Sequence, residues 1–299
     1  MKLLIIGSTS LVGSHLVNYI KTTDPSIQLL TPSSDEFNLL DLARQDSYLT
    51  QEFPDLVINF AAYTDVSKAE QENNDRNGNV WKINVTGTTN LAKLCRKFNL
   101  PLIHISTDMV FSGKKSDPGP YDEKHASEGL QNNLCWYGWT KKKAEDAVLT
   151  SLSKFTIIRI SNPVRHAFDS KPDYIRKILN KADLGQEISL FTDQYLTLTL
   201  IDNVSQVIFR LINKPYFGFM HVSSSNLFTP YNLGTYLLTH IKKNNYKLNK
   251  SRLDDFITRT GNSTRYPQFG GLKVSASSKI LGMRFPTWQE IIDEIVVNQ

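Results

Sequence analysis

A doubly wound α/β fold is predicted for this 299-residue chain by three observations. Short apolar runs rich in β-branched residues recur at Leu3 to Ile6, Leu56 to Phe60, Leu102 to Ile105 and Ile157 to Ile160. Longer segments with helical spacing fill the intervals, the alternation expected of βαβ units that build a parallel sheet. A glycine turn, Gly7-Ser8-Thr9-Ser10-Leu11-Val12-Gly13, follows the first run directly and opens a helix whose apolar face includes Val12, Leu16 and Ile20. Together these predict a Rossmann-type doubly wound parallel sheet with a smaller C-terminal domain.

Taken in order, the helix before the fourth run shows its buried face most plainly. Leu91, Leu94, Cys95 and Phe98 fall on one apolar stripe, which reads Cys95 as a core residue. After about Pro163 the rhythm loosens, and Arg165 to Thr197 mixes a helix-like stretch around Tyr174 to Asn180 with polar loop sequence, the expected start of a cap. A helix from Asp202 through Ile212 and a strand at Phe217 to Val222 are expected to return to the sheet. Beyond them, Pro230, Gly261, Gly270 and Gly271 punctuate short helices of a small irregular domain. The expected division is 1–163 plus 197–225 for the dinucleotide-binding domain and 164–196 plus 226–299 for the substrate-binding cap.

Bulk properties narrow the function classes. With 40% hydrophobic and 21% charged residues the chain has the composition of a compact globular protein. Its net charge of +5 comes from Lys and Arg spread among 29 acidic residues, which favours a phosphorylated small molecule over nucleic acid as partner. Cys95 and Cys135 make neither a disulfide framework nor a metal-ligand spacing, so no metal is expected and a reducing cytoplasm fits. The apolar run at the N-terminus is too short for a signal segment, and no stretch approaches a membrane span.

The glycine turn stands where a dinucleotide pyrophosphate would meet backbone N–H groups and the positive end of a helix. Gly7 would supply the tight turn and Gly13 the close approach of helix to strand. Ser10 occupies the middle position of the Gly-x-x-Gly-x-x-Gly spacing, and an ordinary strand-turn-helix with Ser10 as N-cap is the alternative reading. Asp41-Leu42 follows the second strand region at a distance where a carboxylate would meet the adenine amino group, although Asp41 also reads as a helix N-cap. Ala61-Ala62 follows the third strand, where small side chains would let a cofactor pass.

Tyr137-Gly138-Trp139-Thr140-Lys141 places a phenol and an ammonium four residues apart on one helix face. A nearby cation favours phenolate and lowers a tyrosine's pKa, so Lys141 would tune Tyr137 while binding nicotinamide ribose, and Tyr137 would protonate a carbonyl oxygen as hydride arrives. Alone, Tyr-x-x-x-Lys reads equally as a surface helix with a snorkelling lysine. Its position favours chemistry. Ser106-Thr107-Asp108 ends the fourth strand, at the carboxyl edge where open parallel sheets bind ligands, and the tyrosine helix comes next. Ser106 would border the cofactor there, and Thr107 would donate a second hydrogen bond to the substrate oxygen, with a capping role as its alternative.

With those residues in hand, the chain resembles the dTDP-4-dehydrorhamnose reductase family of extended short-chain dehydrogenases, from Lys2 to about Ile295. The resemblance runs through Pro54-Asp55-Leu56-Val57-Ile58-Asn59, Ala61-Ala62-Tyr63-Thr64, Lys68-Ala69-Glu70 and Asn84-Val85-Thr86-Gly87-Thr88. It continues through His104-Ile105-Ser106-Thr107-Asp108, Tyr137-Gly138 with Lys141, Asp193-Gln194, Arg265 with Pro267, and Leu281-Gly282 before Trp288. The resemblance implies reduction, by NADPH or NADH, of the 4-keto group of a nucleotide-linked 6-deoxyhexose, in deoxysugar or surface polysaccharide biosynthesis. It implies Thr107, Tyr137 and Lys141 as the catalytic group, and Gly7, Leu11, Val12, Gly13, Asp41, Ala61, Ala62 and Tyr63 around the cofactor. It implies Thr64, Val66, Asp108 and Asn162 toward the sugar, with Arg265 near the diphosphate.

The chain also departs from the family pattern. Ser10 replaces the middle glycine, and Met109 stands where the family has tyrosine after Ser-Thr-Asp, altering the sugar pocket. Asn162-Pro163-Val164-Arg165 replaces a segment containing tryptophan and Tyr-Gly, and Leu198-Thr199 replaces Pro-Thr. A different 6-deoxyhexose or nucleotide is therefore admitted. A homodimer is admitted as well, though the family's acidic, metal-mediated dimer contacts are not evident. The end of the second strand, Thr31-Pro32-Ser33-Ser34, offers no carboxylate for a ribose 2′-hydroxyl and no arginine for a 2′-phosphate; want of the carboxylate leans toward NADPH over NADH.

Two alternatives compete. A 4,6-dehydratase would carry Asp-Glu after the threonine, and an epimerase-reductase a cysteine near Asp108; neither is present. A regulatory subunit that binds cofactor without turnover is opposed by retention of Thr107, Tyr137 and Lys141.

Overall fold

The computed structural model describes residues 1–166, 172–241, 246–261 and 264–297. From the N-terminus run β1 (Lys2–Ile6), α1 (Leu11–Thr23), β2 (Gln28–Leu30), α2 (Leu42–Glu52), β3 (Leu56–Asn59) and α3 (Val66–Gln71). Next come α4 (Asn79–Trp81), a π-helical turn (Lys82–Gly87), α5 (Thr88–Lys97), β4 (Leu102–Thr107), α6 (Trp136–Ser151) and β5 (Phe155–Ile160). Then follow β6 (Pro163–Val164), α7 (Tyr174–Asp183), β7 (Glu187–Phe191), β8 (Thr199–Leu200), α8 (Ile201–Asn213) and β9 (Gly218–Val222). The described chain closes with α9 (Pro230–His240), β10 (Lys247–Ser251), α10 (Leu253–Thr260), α11 (Ser275–Leu281) and α12 (Trp288–Val297).

The main sheet has six strands in the order β2-β1-β3-β4-β5-β9. β1 pairs in parallel with β2 and β3, and β3 with β4. Every residue of β3 and β4 is buried, which is why these strands read as continuous apolar runs rather than alternating ones. Strand order reverses between β1 and β3, so a crevice opens at their carboxyl ends, the switch point where doubly wound sheets bind ligands. Register aligns Ile6 with Asn59 and Asn59 with His104, which carries the line of the switch point across to β4.

Chain contacts cluster into two compact units. The first comprises Met1–Val110, Ser127–Arg159 and Val204–Met220; the second comprises Phe111–Ala126, Ile160–Asn203 and His221–Gln299. Segments 111–126, 160–163, 197–203 and 221–225, kept with the dinucleotide-binding domain on sequence grounds, cluster with the second unit. In the first unit Leu91, Leu94 and Cys95 join Leu4, Val57, Leu102 and Ile157 in one core, with Phe98 packed at its margin. Each such side chain contributes about 1.5–3 kcal/mol on burial.

The second unit has its own core, where Trp288, Ile291, Ile292 and Ile295 turn one face of α12 inward against residues of α7 and α9. It also holds two parallel strand pairs, β10 with β7 and β6 with β8, which the sequence reading did not give as strands. The reason is physical: Glu187–Phe191 buries Ile188 deeply between exposed Glu187 and Ser189, and Lys247–Ser251 has one apolar residue. No helix among the described residues is long and apolar enough to cross a membrane.

Candidate active site

The turn after β1 is built by contacts only glycine allows. Gly7 has φ +75, and a Cβ on it would stand 2.7 Å from the Ala61 backbone nitrogen. A Cβ on Gly13 would stand 2.3 Å from the Gly7 carbonyl oxygen. The two glycines thus let the end of β1, the start of α1 and the Ala61-Ala62 turn after β3 close on one another. Ser10 is the N-cap of α1, its Oγ accepting the Gly13 N–H at 3.1 Å. The first-turn N–H groups of Leu11 and Val12 belong to the positive helix end at the switch point. This cradle suits a dinucleotide pyrophosphate.

The tyrosine helix, α6, is seated by another close approach. A Cβ on Gly138 would meet the Met109 carbonyl oxygen at 2.2 Å, so glycine lets the helix rest on the short turn Asp108–Val110 that follows β4. Cys135 caps it, Sγ accepting the Gly138 N–H at 3.4 Å, and a Glu70 carboxylate oxygen accepts the Trp136 N–H at 3.1 Å. A carboxylate at a helix N-terminus is electrostatically favoured.

Seated in this way, α6 brings Tyr137 within hydrogen-bonding reach of the Thr107 hydroxyl. Thr107 Oγ1 also accepts the Met109 N–H at 3.2 Å and donates to Asp108 Oδ1 at 3.2 Å. Burial pushes the Tyr137 phenol above its ordinary value, with Cys135 and Asp108 adding to the rise and the Thr107 hydrogen bond opposing it. The phenol therefore holds its proton at neutral pH, the state a proton donor needs.

Lys141, four residues on and buried, donates to the Ile105 carbonyl at 2.7 Å and lies 3.3 Å from His104 Nε2. Burial lowers its pKa to about 8, with Glu145 opposing. The expected lowering of the tyrosine pKa by this cation is outweighed by burial, because the lysine nitrogen is directed at β4.

Several further residues hold this group together, among them Asn59, Asn84 and His104, which the sequence motifs contained without a role. Glu145 and Arg159 form a buried double contact of 2.9 and 2.7 Å, and Ser106 Oγ donates to Glu145 Oε1 at 2.6 Å. The Ser106 hydroxyl, expected beside the cofactor, is thus engaged beneath the strand end. Asn84, on the π-helical turn, accepts the Tyr63 N–H at 2.8 Å and donates to Thr140 Oγ1 at 3.0 Å. Asn59 accepts the Ala61 N–H at 3.0 Å and faces His104 Nδ1 at 3.3 Å. The readable signal was a polar residue inside an apolar run, which when buried must find a partner.

The remaining expected residues are placed as follows. Asp41 is the N-cap of α2, accepting the Arg44 N–H at 3.0 Å, and Leu42 after it is exposed. Tyr63 packs against the cluster of Val80, Trp136 and Trp139, Thr64 follows it, and Val66 opens α3 behind its Asp65 cap. Asn162 and Arg265 belong to the second unit. Asn162 has φ +44 and donates to the Thr197 carbonyl at 3.1 Å; the Arg265 guanidinium lies 5.4 Å from the Tyr266 ring centre.

A family model described as the RmlD substrate binding domain matches residues 1–299. The chain belongs to this family. Among curated relatives, the dTDP-4-dehydrorhamnose reductase of Sinorhizobium fredii is 26% identical over 308 residues, covering 99% of this chain and 97% of the relative. The spore coat polysaccharide biosynthesis protein SpsK of Bacillus subtilis is 25% identical over 293 residues, covering 98% and 96%. Among solved structures, the dTDP-4-dehydrorhamnose reductase of Bacillus anthracis in complex with NADP superposes with a TM-score of 0.85 at 21% identity, over 100% of this chain and 99% of that one. At that identity the likeness speaks for the fold.

Proposed function

We propose that this RmlD-family chain is a cytoplasmic enzyme that reduces the 4-keto group of a nucleotide-linked 6-deoxyhexose with a nicotinamide cofactor. The observation that carries the reading is the Thr107–Tyr137–Lys141 group at the carboxyl end of β4, in the unit whose switch point holds the Gly7–Gly13 cradle. Relatives named as dTDP-4-dehydrorhamnose reductases along the whole chain support the substrate class.

In this reading Gly7, Ser10, Leu11, Val12 and Gly13 receive the pyrophosphate, Asp41 and Leu42 border the adenine, and Ala61, Ala62 and Tyr63 line the cofactor's path. The bound dihydronicotinamide supplies the hydride. Tyr137, protonated at neutral pH, gives its proton to the ketone oxygen, and Thr107 turns its one hydroxyl proton from Asp108 Oδ1 to donate a second hydrogen bond to the same oxygen. Lys141 holds the charge that makes the resulting phenolate tolerable. Thr64, Val66, Asp108 and Met109 contact the sugar nucleotide; for Asn162 and Arg265 a substrate role rests on the family resemblance alone.

The choice of cofactor has a structural handle absent from the strand-end sequence. Glu36 folds back so that Oε2 accepts the Ser33 N–H at 2.8 Å while Ser33 Oγ accepts the Glu36 N–H at 3.3 Å. A carboxylate therefore does stand just beyond β2, and the Ser33 hydrogen bonds keep its pKa below the ordinary value. A 2′-phosphate placed against this turn would meet like charge, which weighs toward NADH against the lean toward NADPH taken from the strand end.

The experiment is to supply dTDP-, UDP-, GDP- and CDP-linked 4-keto-6-deoxyhexoses, generated in place by their dehydratases, and follow NADH or NADPH absorbance with product analysis. Formation of the 4-hydroxy sugar from one of them supports the reading. Cofactor binding with no reduction of any would favour a binding role.

A further inference from the structure

Asn59, His104 and Lys141 form an unbroken line of buried polar side chains within the first unit. Asn59 ends β3, His104 is its register partner in β4, and Lys141 reaches β4 from α6. The orientation of Asn59 is determined: Oδ1 accepts the Ala61 N–H at 3.0 Å, so its amide nitrogen faces His104 Nδ1 at 3.3 Å. An amide nitrogen donates and never accepts, so Nδ1 is the accepting nitrogen and the ring proton of a neutral imidazole stands on Nε2. Burial first, and Lys141 second, hold His104 well below its ordinary value, which keeps the ring neutral.

The proton on Nε2 therefore points at Lys141 Nζ, 3.3 Å away, while on its other side Nζ meets the Ile105 carbonyl oxygen at 2.7 Å. A lysine nitrogen can donate to the carbonyl and accept from the ring together only as an amine. Other charged groups bear on the same region. On α6 itself are Tyr137 and Glu145; Glu145 favours the ammonium and is shared with Arg159 of β5, and Asp108 after β4 acts on Tyr137.

We propose that His104 is a positioning residue: held by Asn59 with its proton on Nε2, it favours the amine form of Lys141. The inference deepens the reductase reading, on which it rests for what Lys141 does in turnover. It also links the turn at Ala61 to the lysine through two side chains.

The test is direct titration of Lys141 in the intact protein by NMR of labelled lysine, its resonance assigned with Lys141→Arg. The wild-type midpoint is expected near 8. His104→Gln offers Nζ a carbonyl oxygen, and the midpoint should rise by about one pH unit. Asn59→Leu removes the amide donor to Nδ1 without adding charge and frees Nε2 to accept from Lys141, so it should raise the midpoint in the same direction with the imidazole kept. The basic limb of ketone reduction should move with the midpoint in each variant. An unmoved midpoint in either variant that retains the native circular dichroism spectrum and melting transition overturns the proposal. Because the titration needs no sugar, failure to reduce any ketone would count against the reductase reading and leave the titration result standing.

Discussion

Asn84 and Thr140 are joined by a hydrogen bond of 3.0 Å, and the same Asn84 side chain accepts the Tyr63 N–H at 2.8 Å and donates to its carbonyl at 3.2 Å. One side chain thereby ties the turn after β3 to the helix that carries Tyr137 and Lys141. Asn84 lies on the π-helical turn Lys82–Gly87, a departure from regular helix that recurs at functional sites. Thr140 in turn donates to the Tyr137 carbonyl at 2.9 Å, so the linkage ends on the residue proposed as proton donor.

Asn84→Ala should therefore cost more than a surface change. It removes the partner of the partly buried Tyr63 N–H and carbonyl, at about 1–3 kcal/mol for each group left unsatisfied, while Thr140 loses one hydrogen bond and keeps the one it donates to the Tyr137 carbonyl. Denaturant unfolding should show that loss. In the folded fraction kcat should fall while NADH binding, read by fluorescence, changes less.

Reduction should lose rate as pH rises through about 8, where Lys141 gives up its proton. Lys141→Arg stays charged across that range and should flatten the limb, at a lower overall rate. The stability consequence has the opposite sense. The folded value lies below the unfolded 10.5, so ordering this lysine costs stability below pH 8, and that cost disappears as pH rises from about 8 toward 10.5. Rate profiles and melts of wild type and Lys141→Arg over this range check both statements.

NADH should bind more tightly than NADPH, and Glu36→Gln should narrow the difference several-fold. Asp35, Glu36 and Asp41 follow β2 in the chain, Glu36 turned back on Ser33, and Arg44 contributes one positive charge, 3.7 Å from Asp41. Fluorescence titration of both cofactors decides it, and tighter NADPH binding in the wild type would reverse the assignment. The measurement depends on no sugar substrate.

The sheet was legible because β3 and β4 are buried on both faces and are written mainly in apolar residues, with polar ones only where a buried partner or the strand end takes them. The Tyr137–Lys141 pair was legible because four residues is one helix turn. What lay hidden depends on partners distant in sequence. His104 meets Lys141 across 37 residues and Asn84 meets Thr140 across 56, and no local pattern announces either. Glu36 escaped notice for a simpler reason: the strand end was read at Thr31 to Ser34, and a reciprocal hydrogen-bonded turn brings back a carboxylate from beyond it. β10 was missed because pairing with β7, not its own hydrophobicity, makes it a strand.

The most direct test of the central claim compares wild type and Tyr137→Phe for reduction of a dTDP-linked 4-keto-6-deoxyhexose, with cofactor binding measured alongside. Removing one hydroxyl takes away the proton donor and little volume, so turnover should fall by about 10²–10⁴ while cofactor affinity is kept. Undiminished turnover in Tyr137→Phe would contradict the account, since the proton would then come from another group.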